Sequence, residues 1–238
     1  MPGRLEGFVV MGGSEDVRRW TAADIPDQHG RTAIVTGANQ GLGFETARML
    51  AERGATVVLA CRDTVKAADA VDRIRATVPS ADLSIVALDL ARLESVRGAA
   101  EEIRAVHDRI DLLINNAGTA NARCVQTADG YESTFATNHL GPFALTGLLL
   151  DRIQAVTGAR IVTVSSVSHV AGAVDIDDLH FAHRRYRTLA AYAQSKLANL
   201  LFTFELHRRL KAAGASAIAV AAHPVRQPPI SIATWVRA

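Results

Sequence analysis

The chain has little cysteine, little net charge and no long apolar run, and each shortage removes a class of protein. Cys61 and Cys124 are its two cysteines, far apart and without a CxxC pair. That excludes a disulfide framework, fits a reducing cytoplasm and leaves both as expected packing residues. The formal charge of +2 comes from 26 basic and 24 acidic residues spread over the whole length, so no basic stripe marks a nucleic-acid surface. The longest apolar stretches are strand-sized, and FVVM (Phe8 to Met11) is too short for a signal core or a bilayer span. A soluble, cytoplasmic protein with no membrane span is expected, with small molecules rather than nucleic acid as partners. His180 and His183 stand at a helix-like spacing, but no cysteine or carboxylate pattern completes a metal site, so a solvated loop and no metal are expected there.

The 238 residues fit one domain, since nothing inside resembles a linker and no internal repeat or low-complexity segment occurs. From Thr32 onward, short β-branched runs alternate with longer amphipathic segments, the pattern of βαβ units on a parallel sheet. Six strands are expected at Thr32 to Thr36, Ala55 to Ala60, Leu83 to Leu88, Ile110 to Ile114, Ala159 to Ser165 and Ser216 to Ala222. Helices are expected at Gly43 to Arg53, Val65 to Ala76, Leu93 to Val106, Asn138 to Val156 and Leu189 to Ala213. The fold class is therefore α/β, a Rossmann-type doubly wound sheet with helices on both faces. Residues 1–30 read as an N-terminal arm that Trp20 pins to the body. Residues 31–224 form the dinucleotide-binding and catalytic domain, and 225–238 an atypical tail.

Directly after the first strand comes TGANQGLG, which opens the first helix. Gly37, Gly41 and Gly43 permit close backbone approach, and Asn39, Gln40 and Leu42 complete a turn whose amides suit a pyrophosphate. Thr36 and Asn39 are candidates to orient it. At the end of the second strand Cys61 takes the place where an NAD-binding domain usually puts an acidic residue, and Arg62 follows. A guanidinium fork there pairs with a 2′-phosphate, which favours NADP and leaves NAD possible. The plainer alternative is a solvated Arg62 followed by Asp63 capping the next helix. Asp89 and Leu90 follow the third strand, where an adenine ring would be bracketed. Asn115, Asn116, Ala117 and Gly118 follow the fourth, either supporting the sheet or letting backbone approach the cofactor.

Tyr192 and Lys196 share one helix face four residues apart. A phenol ordinarily titrates near 10 and is a poor acid or base at neutral pH, and a neighbouring ammonium favours its ionised form. YxxxK alone is common on helix surfaces. Here Ser165 and Ser166 end the fifth strand and Asn138 opens NHLG at a helix head. The phosphate turn, NNAG, Ser166 and the Tyr192 helix all follow strand ends, where open α/β sheets bind ligands. The expected chemistry is hydride transfer between a nicotinamide and a carbonyl or alcohol carbon, with the proton moving through Tyr192.

TGANQGLG, NNAG, Asn138, Ser166 and Tyr192-x-x-x-Lys196, in this order, resemble the short-chain dehydrogenase/reductase family over roughly residues 30 to 224. The resemblance implies that Tyr192 is the general acid/base, and that Lys196 eases its ionisation and holds the nicotinamide ribose. It also implies that Ser166 polarises the substrate oxygen and that Asn138 holds a water in a proton relay. VVLACRD, IVTVSSVSH and AYAQSKLANLLFTFELHRRL further resemble the retinol-dehydrogenase-like and protochlorophyllide-reductase-like branch, which is mostly NADP-preferring.

Ser166 and Tyr192 are 26 positions apart, about twice the interval of simple members of that family, and the insertion reads as a polar loop or short hairpin. HRRYR within it reads as a solvated, partly paired charge run. After the sixth strand the family shows Pro-Gly, a substrate lid and a seventh strand. This chain instead has Val225 after Pro224 and then Pro228-Pro229, so the seventh strand is expected to be missing. An uncovered sixth strand would favour a homo-oligomer, and an incomplete substrate side leaves dinucleotide binding without turnover as the alternative function.

Overall fold

In β1 (Thr32–Thr36) successive side chains serve two different cores. Ala33 and Val35 join α1 (Gly41–Glu52) and α2 (Thr64–Thr77) on one face, while Ile34 joins α3 (Leu93–Val106) and α5 (Gly141–Ile153) on the other. Burial on both faces is what makes an uninterrupted apolar run the signature of a central parallel strand. Full burial of a side chain such as Ile34 contributes roughly 1.5–3 kcal/mol. β2 (Thr56–Cys61) follows the same rule, with Val57, Leu59 and Cys61 on the α1/α2 side and Val58 and Ala60 opposite.

The computed structural model describes residues 21–224. Its sheet adds β3 (Leu83–Ala87), β4 (Leu112–Asn115), β5 (Arg160–Val164) and β6 (Ile218–Ala222). The order is β3-β2-β1-β4-β5-β6 with every pairing parallel. The winding direction reverses between β1 and β4, and the ends of these two strands open the crevice where such sheets hold ligands. The doubly wound fold read from the sequence is thus observed, and β6 is an edge of the described sheet. The arrangement of the tail after Pro224 and the role given to Trp20 lie outside the described residues. Within the stretch expected as an arm, Ile25 and Gln28 are buried, and the Gln28 amide donates to the Arg53 carbonyl at 2.8 Å.

Two expectations need correction and a third is narrowed. The helix expected from Asn138 begins earlier, with α4 (Ser133–Phe135), and passes through a π turn at Ala136–Leu140 before α5. Glu132 starts it by accepting from the Thr134 and Phe135 amides, both at 2.7 Å. Pro142 has no N–H for the Asn138 carbonyl, so the regular ladder is broken there, and the Gly141 amide reaches back to Ala136 instead. Of the polar loop and the short hairpin expected between Ser166 and Tyr192, the structure has the loop. Two 3₁₀ turns, Val167–Ala171 and Ile176–Asp178, shape it, and the buried Asp178 collects the Ala182, His183 and Arg184 amides. Arg184 stacks on Phe181 at 4.0 Å and bonds to Gln194 of α6 (Thr188–Ala212), while Arg185 and Arg187 are exposed, so the charge run is partly paired as expected. Finally, Cys61 is a packing residue but Cys124 is exposed, because its loop lies outside both cores.

Candidate active site

The turn after β1 is open in front and closed behind. Gly37 and Gly41 adopt φ of +67° and +58°, a region that side chains disfavour. A Cβ on Gly41 would meet nothing within 4 Å, whereas one on Gly43 would run into the Gly37 carbonyl and the Asn116 amide. Exposed backbone at the N-terminus of α1 with empty space before it fits a diphosphate. Asn39 and Leu42 are half-buried and Gln40 is exposed on its rim.

Thr36 fixes this turn to the next strand end. Its hydroxyl accepts from the Asn116 and Ala117 amides, each at 3.0 Å, and the Asn116 side chain donates to the Thr36 carbonyl at 2.9 Å. The Asn116 side chain therefore supports the sheet, while the backbone of Gly118 faces the catalytic side. A Cβ on Gly118 would stand 3.4 Å from Asn138 Oδ1 and 3.5 Å from Lys196 Nζ. Arg62 is exposed at the end of β2, and Asp63 caps α2 by accepting from the Lys66 amide at 3.0 Å. Asp89 accepts from the Ala91 amide within its own turn, and Leu90 is buried against Gly141.

On α6 the Lys196 ammonium lies 5.5 Å from the centre of the Tyr192 ring. It donates to the Val164 carbonyl at the end of β5 at 3.0 Å. The side chain is nearly inaccessible, and loss of hydration pushes its pKa from 10.5 down to about 8. Ser165 locks helix to strand, its hydroxyl donating to the Lys196 carbonyl at 2.8 Å. Ser166 is half-buried and caps the following turn, accepting from the Ser168 amide at 3.2 Å. Asn138, in the π turn, accepts from the Thr119 amide at 2.7 Å and donates to the Thr119 carbonyl and the Ser195 hydroxyl. Both its amide protons are thereby used within the protein. Tyr192, Lys196, Asn138 and Gly118 thus converge, with Ser166 at the adjoining strand end.

Ser195, Asn199 and the Val164 carbonyl escaped the sequence reading. Ser195 and Asn199 stand three and seven positions after Tyr192, so helical spacing was their available signal. Of the two histidines expected in a solvated loop, His183 is exposed, whereas His180 is half-buried, packs its ring against Tyr131 and edge-on to Phe135, and accepts from the Glu132 amide at 3.3 Å. Among the described residues no group of three or more His, Cys, Asp or Glu side chains is placed to hold a metal, and no helix is long and apolar enough to cross a membrane.

The family model for short chain dehydrogenase matches residues 31–231. The chain belongs to the short chain dehydrogenase family. Retinol dehydrogenases are among the family members it is most similar to. Retinol dehydrogenase 13 of Homo sapiens is 48% identical over 202 residues, 85% of this chain and 60% of that one. The chain thus spans about three fifths of the length of that curated relative. A crystal structure of an uncharacterized protein from Mycobacterium paratuberculosis is 49% identical with a TM-score of 0.79, covering 87% of this chain and 73% of that one. The RhlG/NADP active-site complex of Pseudomonas aeruginosa is 26% identical with a TM-score of 0.68, covering 85% and 75% respectively. Short chain dehydrogenase membership accounts for the strand order and for the grouping of the motifs at the strand ends.

Proposed function

We propose that this chain is an NADP-dependent oxidoreductase that interconverts a carbonyl and an alcohol on an apolar, lipid-like substrate. The observation that carries the reading is the buried Lys196 ammonium beside Tyr192, with the β4 end and its Gly118 between it and the open glycine turn. When bound, a nicotinamide supplies the hydride for a carbonyl carbon or takes one from an alcohol. In the reducing direction the Tyr192 hydroxyl passes its proton to the substrate oxygen, and the Lys196 ammonium stands beside the ring that gives it up. Lys196 has two further N–H groups besides the one on Val164, enough for the phenolate and a ribose hydroxyl. Ser166, whose hydroxyl donates to Ser168 Oγ at 3.2 Å without substrate, turns that one proton to the substrate oxygen. Asn138 keeps the Gly118 backbone and α6 in register through Thr119 and Ser195, and any water it holds uses the second lone pair of Oδ1.

The glycine turn, with Asn39, Gln40 and Leu42 on its rim, holds the diphosphate; Asp89 and Leu90 border the adenine end. Arg62 pairs with the 2′-phosphate, its exposure leaving the guanidinium free to reach it. Support for NADP also comes from the complex named above, and support for an apolar substrate from the retinol dehydrogenases. Self-association through the β6 edge is a further part of the proposal, and gel filtration with light scattering tests it: a monomer at high concentration rejects it.

The deciding experiment follows NADPH oxidation across aldehydes from propanal to all-trans-retinal. Tyr192→Phe is expected to lower turnover by about 10²–10⁴-fold while NADPH fluorescence titration shows retained binding. Activity surviving that change rejects the acid/base assignment. Binding of NADPH with no aldehyde reduced, and no alcohol oxidised with NADP, supports the binding-only alternative. Arg62→Ala is expected to erase the preference for NADPH over NADH, and a preserved preference rejects the role of Arg62.

A further inference from the structure

One buried contact chain remains outside the mechanism, and its meaning rests on Lys196 serving the proton-transfer site. Asn199 lies three residues after Lys196 and is equally buried. Its side-chain nitrogen donates to the Val164 carbonyl at 3.2 Å, the same oxygen that receives the Lys196 ammonium at 3.0 Å. A carbonyl oxygen has two lone pairs, so the amide occupies one and confines the ammonium to the other. The Asn199 oxygen faces His139 Nδ1 at 3.1 Å. An amide that turns its nitrogen to a carbonyl must meet a donor with its oxygen, which places the histidine proton on Nδ1. His139 is surrounded by Phe135, Phe143 and Phe202 at centroid distances of 5.1, 6.3 and 6.1 Å. Loss of hydration lowers its pKa against the opposing effect of the Asn199 contact, which keeps the ring neutral.

We propose that His139 is a positioning residue for Lys196: its Nδ1–H orients the Asn199 amide, the amide shares the Val164 carbonyl with the ammonium, and the ammonium is thereby held beside Tyr192. The ring touches none of the reacting groups and acts through two intermediate contacts. Packing alone does not call for this arrangement, because a phenylalanine would fill the same aromatic surroundings without the donor.

Nitrogen-15 spectra of the full chain with labelled histidine read the tautomer directly. A neutral Nδ1–H form is expected for His139 at pH 7, and an Nε2–H form overturns the proposal. His139→Phe keeps the ring and removes the donor, whereas His139→Asn restores an N–H near the position of Nδ1. The first is expected to keep the thermal midpoint yet bind NADPH about fivefold more weakly, and the second to recover to within about twofold, the scale of one hydrogen bond. Wild-type affinity in a folded His139→Phe overturns the proposal. If that variant does not fold, Asn199→Met carries the test with the same expected loss, and unchanged NADPH affinity there overturns it. A wild-type chain that binds neither NADPH nor NADH overturns the site assignment and this inference together. Tight wild-type binding with an inactive Tyr192→Phe and an unaffected His139→Phe overturns the inference alone.

Discussion

The turn after β1 and the inner face of α6, which packs on the β5 end, flank the end of β4 and are built by opposite means. At the turn, the essential feature is what the residues lack: Gly43 has no atom to strike the Gly37 carbonyl, and Gly41 leaves open space before the helix. On α6 and the segments packed against it the essential features are polar atoms taken out of water, each anchored to backbone. Lys196 and Asn199 hold Val164, Ser165 holds the Lys196 carbonyl, and Asn138 holds Thr119. The first region is damaged by adding a methyl group. The second carries a standing cost of burial, and removing a polar group there has consequences of either sign.

The sharpest way to break this comparison is to remove the buried charge. The Lys196 pKa falls from 10.5 to about 8 on folding because burial strips its hydration. Below pH 8 both folded and unfolded chains hold the proton, and the burial penalty is complete. Between about 8 and 10.5 the unfolded chain binds the proton and the folded chain does not, so stability rises with pH across that window. At 1.36 kcal/mol per pKa unit the rise amounts to about 3 kcal/mol. Lys196→Met is expected to lack it, and to be more stable than wild type at pH 7 by up to about 3 kcal/mol while losing turnover. Urea unfolding of both proteins at pH 7 and pH 10 checks this. A wild-type-minus-variant difference that stays constant between the two pH values removes the buried-charge half of the contrast.

A smaller effect tests the other region. Gly43→Ala forces a methyl group against backbone, with an expected cost of about 2 kcal/mol and at least tenfold weaker NADPH binding. Gly41→Ala meets no atom and bears only the left-handed backbone, a cost of about 1 kcal/mol. Unfolding curves and fluorescence titrations of the pair should rank Gly43→Ala as the more damaging. Equal losses would show that backbone conformation, rather than closeness, governs the turn.

Elements whose signal lies in their own residues were legible in advance. Thr32–Thr36 and Leu93–Val106 are a two-faced apolar run and an amphipathic helix, and both stand at their expected bounds. The head of the helix before β5 was not legible, because Glu132 is outside the usual capping set and the π turn depends on Pro142 depriving the Asn138 carbonyl. The insertion before α6 was read as polar but not as clamped. Its conformation rests on Asp178 gathering amides from residues 182–184, a contact pattern without periodicity. In the site, Tyr192 and Lys196 announced themselves by spacing. His139 and Asn199 did not, since their pairing joins positions 60 apart through a shared strand carbonyl.

The gentlest test concerns the residue that joins the two regions. Thr36 accepts from the Asn116 and Ala117 amides and thereby holds the Gly118 backbone, next to Lys196, in line with the glycine turn. In Thr36→Val the shape is kept and the acceptor is lost. The Asn116 amide retains the Ile114 carbonyl at 2.9 Å, so one amide, that of Ala117, is left without its partner. The expected cost is about 1 kcal/mol, measured by urea unfolding. Because the loosened segment reaches both Gly37 and Gly118, NADPH affinity should fall even though no ligand-facing atom has changed. A loss of stability without any loss of affinity would mean that the turn and the α6 face are positioned independently, and that Thr36 serves the sheet alone.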